Sequence, residues 1–488
     1  MKSMWSRPAD ILSIGLTRED LYSAAVLAIM AIFAFALWQF PAAGIHLVEV
    51  GFPLIAVWIL YHNRSDLFAP GASFPALYLL WFWLGTITIV PANDLNSLLN
   101  PFDEHQWLLY VIGFIGLWCG LYTFRGEKKD CDRLRGVSAQ WNDGLFLLLI
   151  AATTAIFLIA WAIIVSKEGI TILKDDVETL RVSVSTDNHI TFQILMLSKL
   201  IFPLIYLYSW TASPKPLFKK TLYTLGIVIV LILTSTGNRG MALDSLLIVF
   251  ATRHYVRKRY KTWHLFLAAA ILSLALSLSG YYRAVQHGGT SHADQLTRMG
   301  FPPAVQPFTD IYLYVRSPAD TLRNVTKQIP ANTPYQHGTL TTSALTQLLP
   351  GRHPSTDFYF KDLVGGQYDG LGQPASILGP FYADFGLLGV FLGMFFSGLA
   401  SRFLYIKMFQ GSFTSLLLYC CFWQLLVGSL YGALFIYIIQ ILIPIAWIMI
   451  LWLVVNKVSY RRPSPTIVQP RFAPIPPAPP GPIFLSTL

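Results

Sequence analysis

The chain has 488 residues, of which 54% are hydrophobic and only 12% charged, and its formal net charge is +10. A soluble domain carries about 25% charged residues, so this composition excludes a globule covered by water. The positive excess does not mark a nucleic-acid partner, because the basic residues are confined to alternate loops between apolar stretches, the pattern of membrane topology.

A hydrocarbon core of about 30 Å needs roughly 20 apolar residues per helical span, and such stretches recur along most of the chain. The N-terminal segment, residues 1–20, carries Lys2, Arg7 and Arg18. Twelve spans are predicted: Leu21–Phe40, Gly44–Tyr61, Phe74–Val90, Trp107–Phe124, Leu145–Val165, Ile190–Tyr208, Thr221–Thr234, Gly240–Tyr255, Trp263–Tyr281, Ile377–Leu404, Phe413–Tyr431 and Leu434–Val455. The runs are continuous and do not alternate, which excludes a transmembrane β-barrel. A cleaved signal peptide is not expected, since the first run is of full span length and more spans follow. The seventh and eighth runs are short and joined by the turn Gly237-Asn238-Arg239-Gly240, so they are expected to tilt or to fold back.

The loops set the orientation. Arg64, the cluster Arg125 to Arg135, Lys215, Lys219, Lys220, Arg253 to Lys261, Arg402, Lys407 and both terminal segments fall on one face, read as cytoplasmic. The opposite loop Asn93–Gln106 has Asp94, Asp103 and Glu104 but no Lys or Arg. Two segments on the outer face are long: residues 166–189 and residues 282–376. Long connections without a function are uncommon. Residues 456–488 are rich in proline and read as an extended cytoplasmic tail. Of the four cysteines, Cys119, Cys420 and Cys421 lie in apolar runs and Cys131 in a basic loop, so no disulfide framework is expected.

The candidate chemistry gathers at the outer face. Arg181, Arg239 and Arg283 lie at or near the outer interface, against the positive-inside bias. A guanidinium stays charged and holds phosphate in a bidentate fork; the plainer explanation for each is a side chain snorkelling to lipid phosphate. Ionisable residues within spans are costly and mark functional candidates. Lys199 and Asp244 lie at depths that suit an ion pair holding two helices together. Glu49 and Asp384 lie near outer span ends, placed for a general base or for helix packing and capping. In the long loop His287, His292, His337 and His353 show no metal-ligand spacing, so no metal is expected. His353, next to Arg352, is the strongest histidine candidate. Loop aromatics such as Tyr312, Tyr314 and Tyr335 suit either sugar stacking or a small amphipathic core.

The stretch from Gly365 to Gly389 resembles the O-antigen (Wzy-type) polymerases, or oligosaccharide repeat unit polymerases. Tyr382, Phe385, Gly386 and Gly389 match a Tyr-x-x-Phe-Gly-x-x-Gly pattern at the start of a helix after a large loop. The Gly-Asn-Arg-Gly turn places Arg239 on that family's arginine, and Leu348 to Arg352 followed by Lys361 resembles its loop. The resemblance implies an all-α polytopic membrane glycosyltransferase of GT-C-like architecture, with a large extracytoplasmic loop before the last three spans. It implies metal-independent, inverting transfer of a glycan from an undecaprenyl pyrophosphate carrier to a lipid-linked repeat unit at the outer leaflet of a bacterial inner membrane. No cofactor is implied; a chain-length regulator and a flippase are implied partners. Arg181, Arg239, Arg283, Arg352, Lys361 and Tyr382 would bind substrate, and Glu49, His353 and Asp384 are candidate bases. An O-antigen ligase shares the general plan. A flippase would instead place polar groups at the membrane midplane on broken helices, and a structural scaffold would need none of the arginines.

Overall fold

The computed structural model describes residues 17–64, 66–87, 102–124, 138–170, 198–212, 214–235, 239–257, 306–346, 356–365, 373–409, 413–434 and 439–459, with scattered positions within 191–195 and 259–274. The predicted ninth span lies almost wholly outside the described residues, as does the tail beyond residue 459.

The helices are α1 (Arg18–Gln39), α2 (Pro41–His62), α3 (Ser73–Thr86), α4 (Glu104–Thr123), α5 (Asp143–Glu168), α6 (Ser198–Thr211), α7 (Pro216–Ser235), α8 (Arg239–Val256), α9 (Gln306–Gln328), α10 (Ser343–Thr346), α11 (Thr356–Leu363), α12 (Leu378–Met408), α13 (Phe413–Gly428) and α14 (Ile439–Val454). Their ends follow local chemistry. Thr17 and Asp20 form a capping box at α1, and Pro41 opens α2 where its missing N–H costs nothing. Asp103 caps α4 by accepting from the Gln106 N–H at 3.0 Å, and Gly169 ends α5 at a φ of 74°. Strands β1 (Ser138–Trp141) and β2 (Val455–Ser459) form an antiparallel pair, so the start of the predicted tail is a strand.

Among the described residues six helices are long and apolar enough to cross a membrane: α1, α2, α4, α5, α7 and α12, while α13 and most of α14 are shorter apolar helices. The chain is an all-α, multi-pass membrane protein. Helix α7 is longer than the sequence suggested, because the turn bearing Lys219 and Lys220 is helical too.

Two hydrophobic cores divide the bundle. One joins α1 to α4 with α9, α11 and the first half of α12; the other joins α5 to α8 with α13, α14 and the far end of α12. Helix α12 links them by packing closely on α4. A Cβ at Gly116 or Gly120 would sit 2.3 or 2.0 Å from the carbonyl oxygens of Phe391 or Phe395, so small residues set that approach.

The ends of the bundle differ in chemistry. At one end the buried Asp66 carboxylate accepts from the hydroxyls of Tyr405 (2.7 Å) and Tyr255 (3.2 Å), and His254 Nε2 lies 3.3 Å away. This cluster joins the α2–α3 turn to the C-terminal ends of α8 and α12, and Arg64, Arg253, Arg257, Arg402 and Lys407 lie on or beside those segments. These five basic residues therefore share one end. The opposite end carries a cap that includes α9, residues 329–342, α10 and α11.

Candidate functional site

The cap is where the sequence left only a long loop. Helix α9 explains its placement. Ala319, Leu322 and Val325, continued by Ile329 just past the helix, recur at helical spacing and join the first core. Beside that stripe Arg316, Asp320 and Arg323 follow one another at i, i+4 and i+7, and all three are buried. Arg316 Nε donates to Asp320 Oδ2 at 2.9 Å, and its Nη1 donates to the Thr86 carbonyl at 3.1 Å. The guanidinium thus satisfies an end carbonyl of α3, at the negative pole of that helix. Both arginines lie over the Phe102 ring, with Cζ at 4.5 Å for Arg316 and 5.7 Å for Arg323. Helices α9 and α3 approach at Gly85, where a Cβ would sit 3.1 Å from the Val315 carbonyl oxygen.

Desolvation pushes the Asp320 carboxyl up to about 6, against the pull of Arg316 and Arg323. Its Oδ1 takes no hydrogen bond among the described residues.

The start of α4 completes the cluster. Gln106 Nε2 donates to the Ala319 carbonyl at 3.1 Å and to the Tyr110 hydroxyl at 3.0 Å. One residue earlier, the half-buried His105 places Nε2 3.2 Å from the Tyr382 hydroxyl, which itself donates to the Ile329 carbonyl at 3.2 Å. Sequence reasoning missed His105, Arg316, Asp320 and Arg323. The available signal was a histidine beside Asp103 and Glu104 in a loop without cations, and charges spaced by helical turns in the long loop.

The motif that carried the family resemblance has a physical basis here. Helix α12 is broken at Phe385 and Gly386, whose φ is 65°. A left-handed residue is favourable only for glycine, and a Cβ there would meet the Tyr335 hydroxyl at 2.8 Å. The break frees carbonyls, and the cap satisfies them: Gln336 N–H donates to the Ala383 carbonyl at 2.9 Å and His337 N–H to that of Asp384 at 3.3 Å. The Asp384 side chain extends the same latch. It is fully buried and accepts from the backbone N–H groups of Leu340 (3.2 Å) and Thr341 (2.8 Å). Both carboxylate oxygens are engaged, the geometry of an anchor for the loop.

The other predicted site residues are spread out. Glu49 lies on an exposed face of α2, 3.3 Å from His46 Nδ1. Lys361 is half-buried in the last turn of α11. Arg239 is the first residue of α8, at the cap end of the bundle. Arg181, Arg283, Arg352 and His353 lie outside the described residues. About 7.5 Å below Arg239 by helical rise, Asp244 forms the predicted ion pair with Lys199, and Gln424 Nε2 donates to its other oxygen at 2.6 Å. At the cap surface Tyr314 stacks on Tyr431 with ring centroids 3.9 Å apart and remains 50% exposed, leaving apolar ring surface open to a ligand. Among the described residues no three His, Cys, Asp or Glu side chains gather as a metal site.

Together these features define a class: a multi-pass membrane protein with a helical cap over one end of its bundle. The family described as "Putative O-antigen polymerase" matches residues 66–442, from the α2–α3 turn into α14. The chain belongs to the O-antigen polymerase family. No curated relative and no solved structure matches it.

Proposed function

We propose that the protein is a polysaccharide polymerase that joins undecaprenyl-pyrophosphate-linked repeat units at the outer leaflet of the bacterial inner membrane. The observation that carries this reading is the family match over residues 66–442, which includes the broken helix α12 and the cap latched to it. Arg64, Arg253, Arg257, Arg402 and Lys407 at the end opposite the cap support an extracytoplasmic cap and cytoplasmic termini.

In this reading the terminal hydroxyl of a lipid-linked unit attacks the anomeric carbon of the growing glycan. The bond to the pyrophosphate breaks, with inversion, and the lipid pyrophosphate leaves. The leaving group already carries its activation, so the protein must orient the reactants, stabilise developing negative charge and accept a proton. Arg239 at the N-terminus of α8, with Arg181 and Arg283, supplies positive charge for the pyrophosphate. A helix N-terminus adds to that charge. Arg352 and Lys361 contact phosphate or acidic sugar, and Tyr314 and Tyr431 offer a stacking face for the glycan. A chain-length regulator and a flippase serve the same route.

The test is reconstitution in proteoliposomes with undecaprenyl-pyrophosphate-linked repeat units, with products resolved as a length ladder. The wild-type protein is expected to give a ladder. Arg239→Ala is expected to lower chain extension by about 10²-fold or more, on the scale of losing one preorganised charge donor, while Arg239→Lys keeps part of it. Undiminished polymer from Arg239→Ala would remove that residue from the chemistry. Absence of any ladder from the folded wild-type protein would remove the polymerase reading itself.

A further inference from the structure

The donor and acceptor roles around Tyr382 fix the state of His105. A carbonyl oxygen only accepts, so the single Tyr382 hydroxyl proton is directed to Ile329. Toward His105 the phenolic oxygen must then accept, and His105 Nε2 carries the proton across the 3.2 Å contact. In the neutral imidazole that tautomer leaves Nδ1 with a free lone pair. No other hydrogen bond to this ring is found among the described residues. The ring is half-buried at the cap end of α4, and its orientation is held by a family-motif tyrosine that is locked in turn to the end of α9.

We infer that His105 is a catalytic residue of the polymerase and that its Nδ1 takes the proton of the acceptor hydroxyl. This rests on the polymerase reading. As the acceptor oxygen bonds to the anomeric carbon, its proton passes to Nδ1, and the electron pair of the breaking C–O bond leaves with the lipid pyrophosphate. The imidazolium then returns its proton to water. Tyr382 is a positioning residue, presenting Nδ1 by holding Nε2. Nothing in the step needs a further reactant. The arrangement resembles other base-and-orienter pairs in which a hydrogen bond to one ring nitrogen sets the basicity and aim of the other. Asp384 is less suited, with both oxygens committed to Leu340 and Thr341.

The titratable groups around His105 are Asp103 and Glu104 on its own turn, Tyr382 on α12, and Tyr335 on the connection after α9, whose ring centroid lies 6.5 Å from that of Tyr382. The experiment is the initial rate of ladder formation in proteoliposomes as a function of pH. For the wild-type protein the rate is expected to fall on the acid side of the profile, as the base is protonated. His105→Gln keeps an amide donor for Tyr382 but has no basic nitrogen. It is expected to slow extension by about 10²-fold or more, to lose the acid limb, and to leave the KM for the lipid-linked unit within about threefold, as for a group that acts only in the transition state. Tyr382→Phe is expected to lose about tenfold and to shift the limb, since the base remains but its orienter is gone.

A wild-type rate that is flat from pH 5 to pH 8 overturns the assignment even if His105→Gln fails to fold. A folded His105→Gln protein with wild-type rate overturns it as well. In both cases the wild-type ladder shows that the polymerase reading stands. A folded wild-type protein that makes no ladder overturns both.

Discussion

Two ion pairs among the described residues, one in each lobe (the helices around each hydrophobic core), are built differently. In the second lobe Lys199 and Asp244 join α6 to α8, and Gln424 from α13 takes the remaining carboxylate oxygen. The pair is closed: three helices meet, and both oxygens of the aspartate are bonded. In the first lobe Arg316 and Asp320 lie one turn apart on α9, and Asp320 Oδ1 takes no hydrogen bond among the described residues. That pair is open, and it adjoins Arg323, Phe102 and the start of α4. A closed pair holds helices in register. An open one leaves a buried carboxylate oxygen without a hydrogen bond among the described residues, so desolvation weighs on its charged form. The contrast lies in how completely each carboxylate is satisfied by its neighbours.

Three measurements would break or sharpen the contrast. The largest effect is expected from Lys199→Ala, which leaves a carboxylate unpaired inside the bundle. Breaking one side of a buried pair costs about 3–5 kcal/mol, to be read as a large fall in thermal midpoint in detergent. Replacing Lys199 and Asp244 together by Met and Leu is expected to cost much less. If Lys199→Ala left the midpoint unchanged but abolished extension, the second pair would belong to the machinery.

The next effect is the pH response of the open pair. The Asp320 carboxyl is raised from its ordinary value near 3.8 to about 6 in the fold. Ionisation is therefore harder in the folded state than in the unfolded chain. Stability is greatest below the unfolded value and declines as pH rises from about 4 through about 6. A change of that size corresponds to about 3 kcal/mol. Asp320→Asn is expected to flatten that decline. An unchanged slope in Asp320→Asn would mean that another group drives the response.

The smallest is Gly386→Ala. A left-handed alanine at the α12 break costs about 1–3 kcal/mol, and the new Cβ would push on the Tyr335 hydroxyl. The expected result is a modest fall in thermal midpoint with a disproportionate loss of extension, because the break positions the cap. Equal losses in the two would make the break merely structural.

Hydropathy determined the apolar stretches: described helices overlie parts of eleven of the twelve predicted runs, six of them are long and apolar enough to cross a membrane, and the ninth run lies almost wholly outside the described residues. The depth of Lys199 and Asp244 within their runs was enough to pair them. The motif from Tyr382 to Gly389 was enough to indicate the family, because a broken helix with close neighbours restricts residues one by one. The sequence did not reveal that the long loop holds a 23-residue helix, since its charges mask the apolar stripe that packs down.

Tertiary structure alone decided the site. His105 and Tyr382 are separated by 277 residues, and the Arg316 contact to the Thr86 carbonyl spans 230. Patterns in a sequence report which face of a helix is apolar. They do not report which helix meets it, and that meeting lets a mid-sequence histidine find its tyrosine and commits Asp384 to anchoring a loop. The apolar spans were set by local transfer free energy, one segment at a time; the polar cluster was set by contacts that exist only once distant segments pack together.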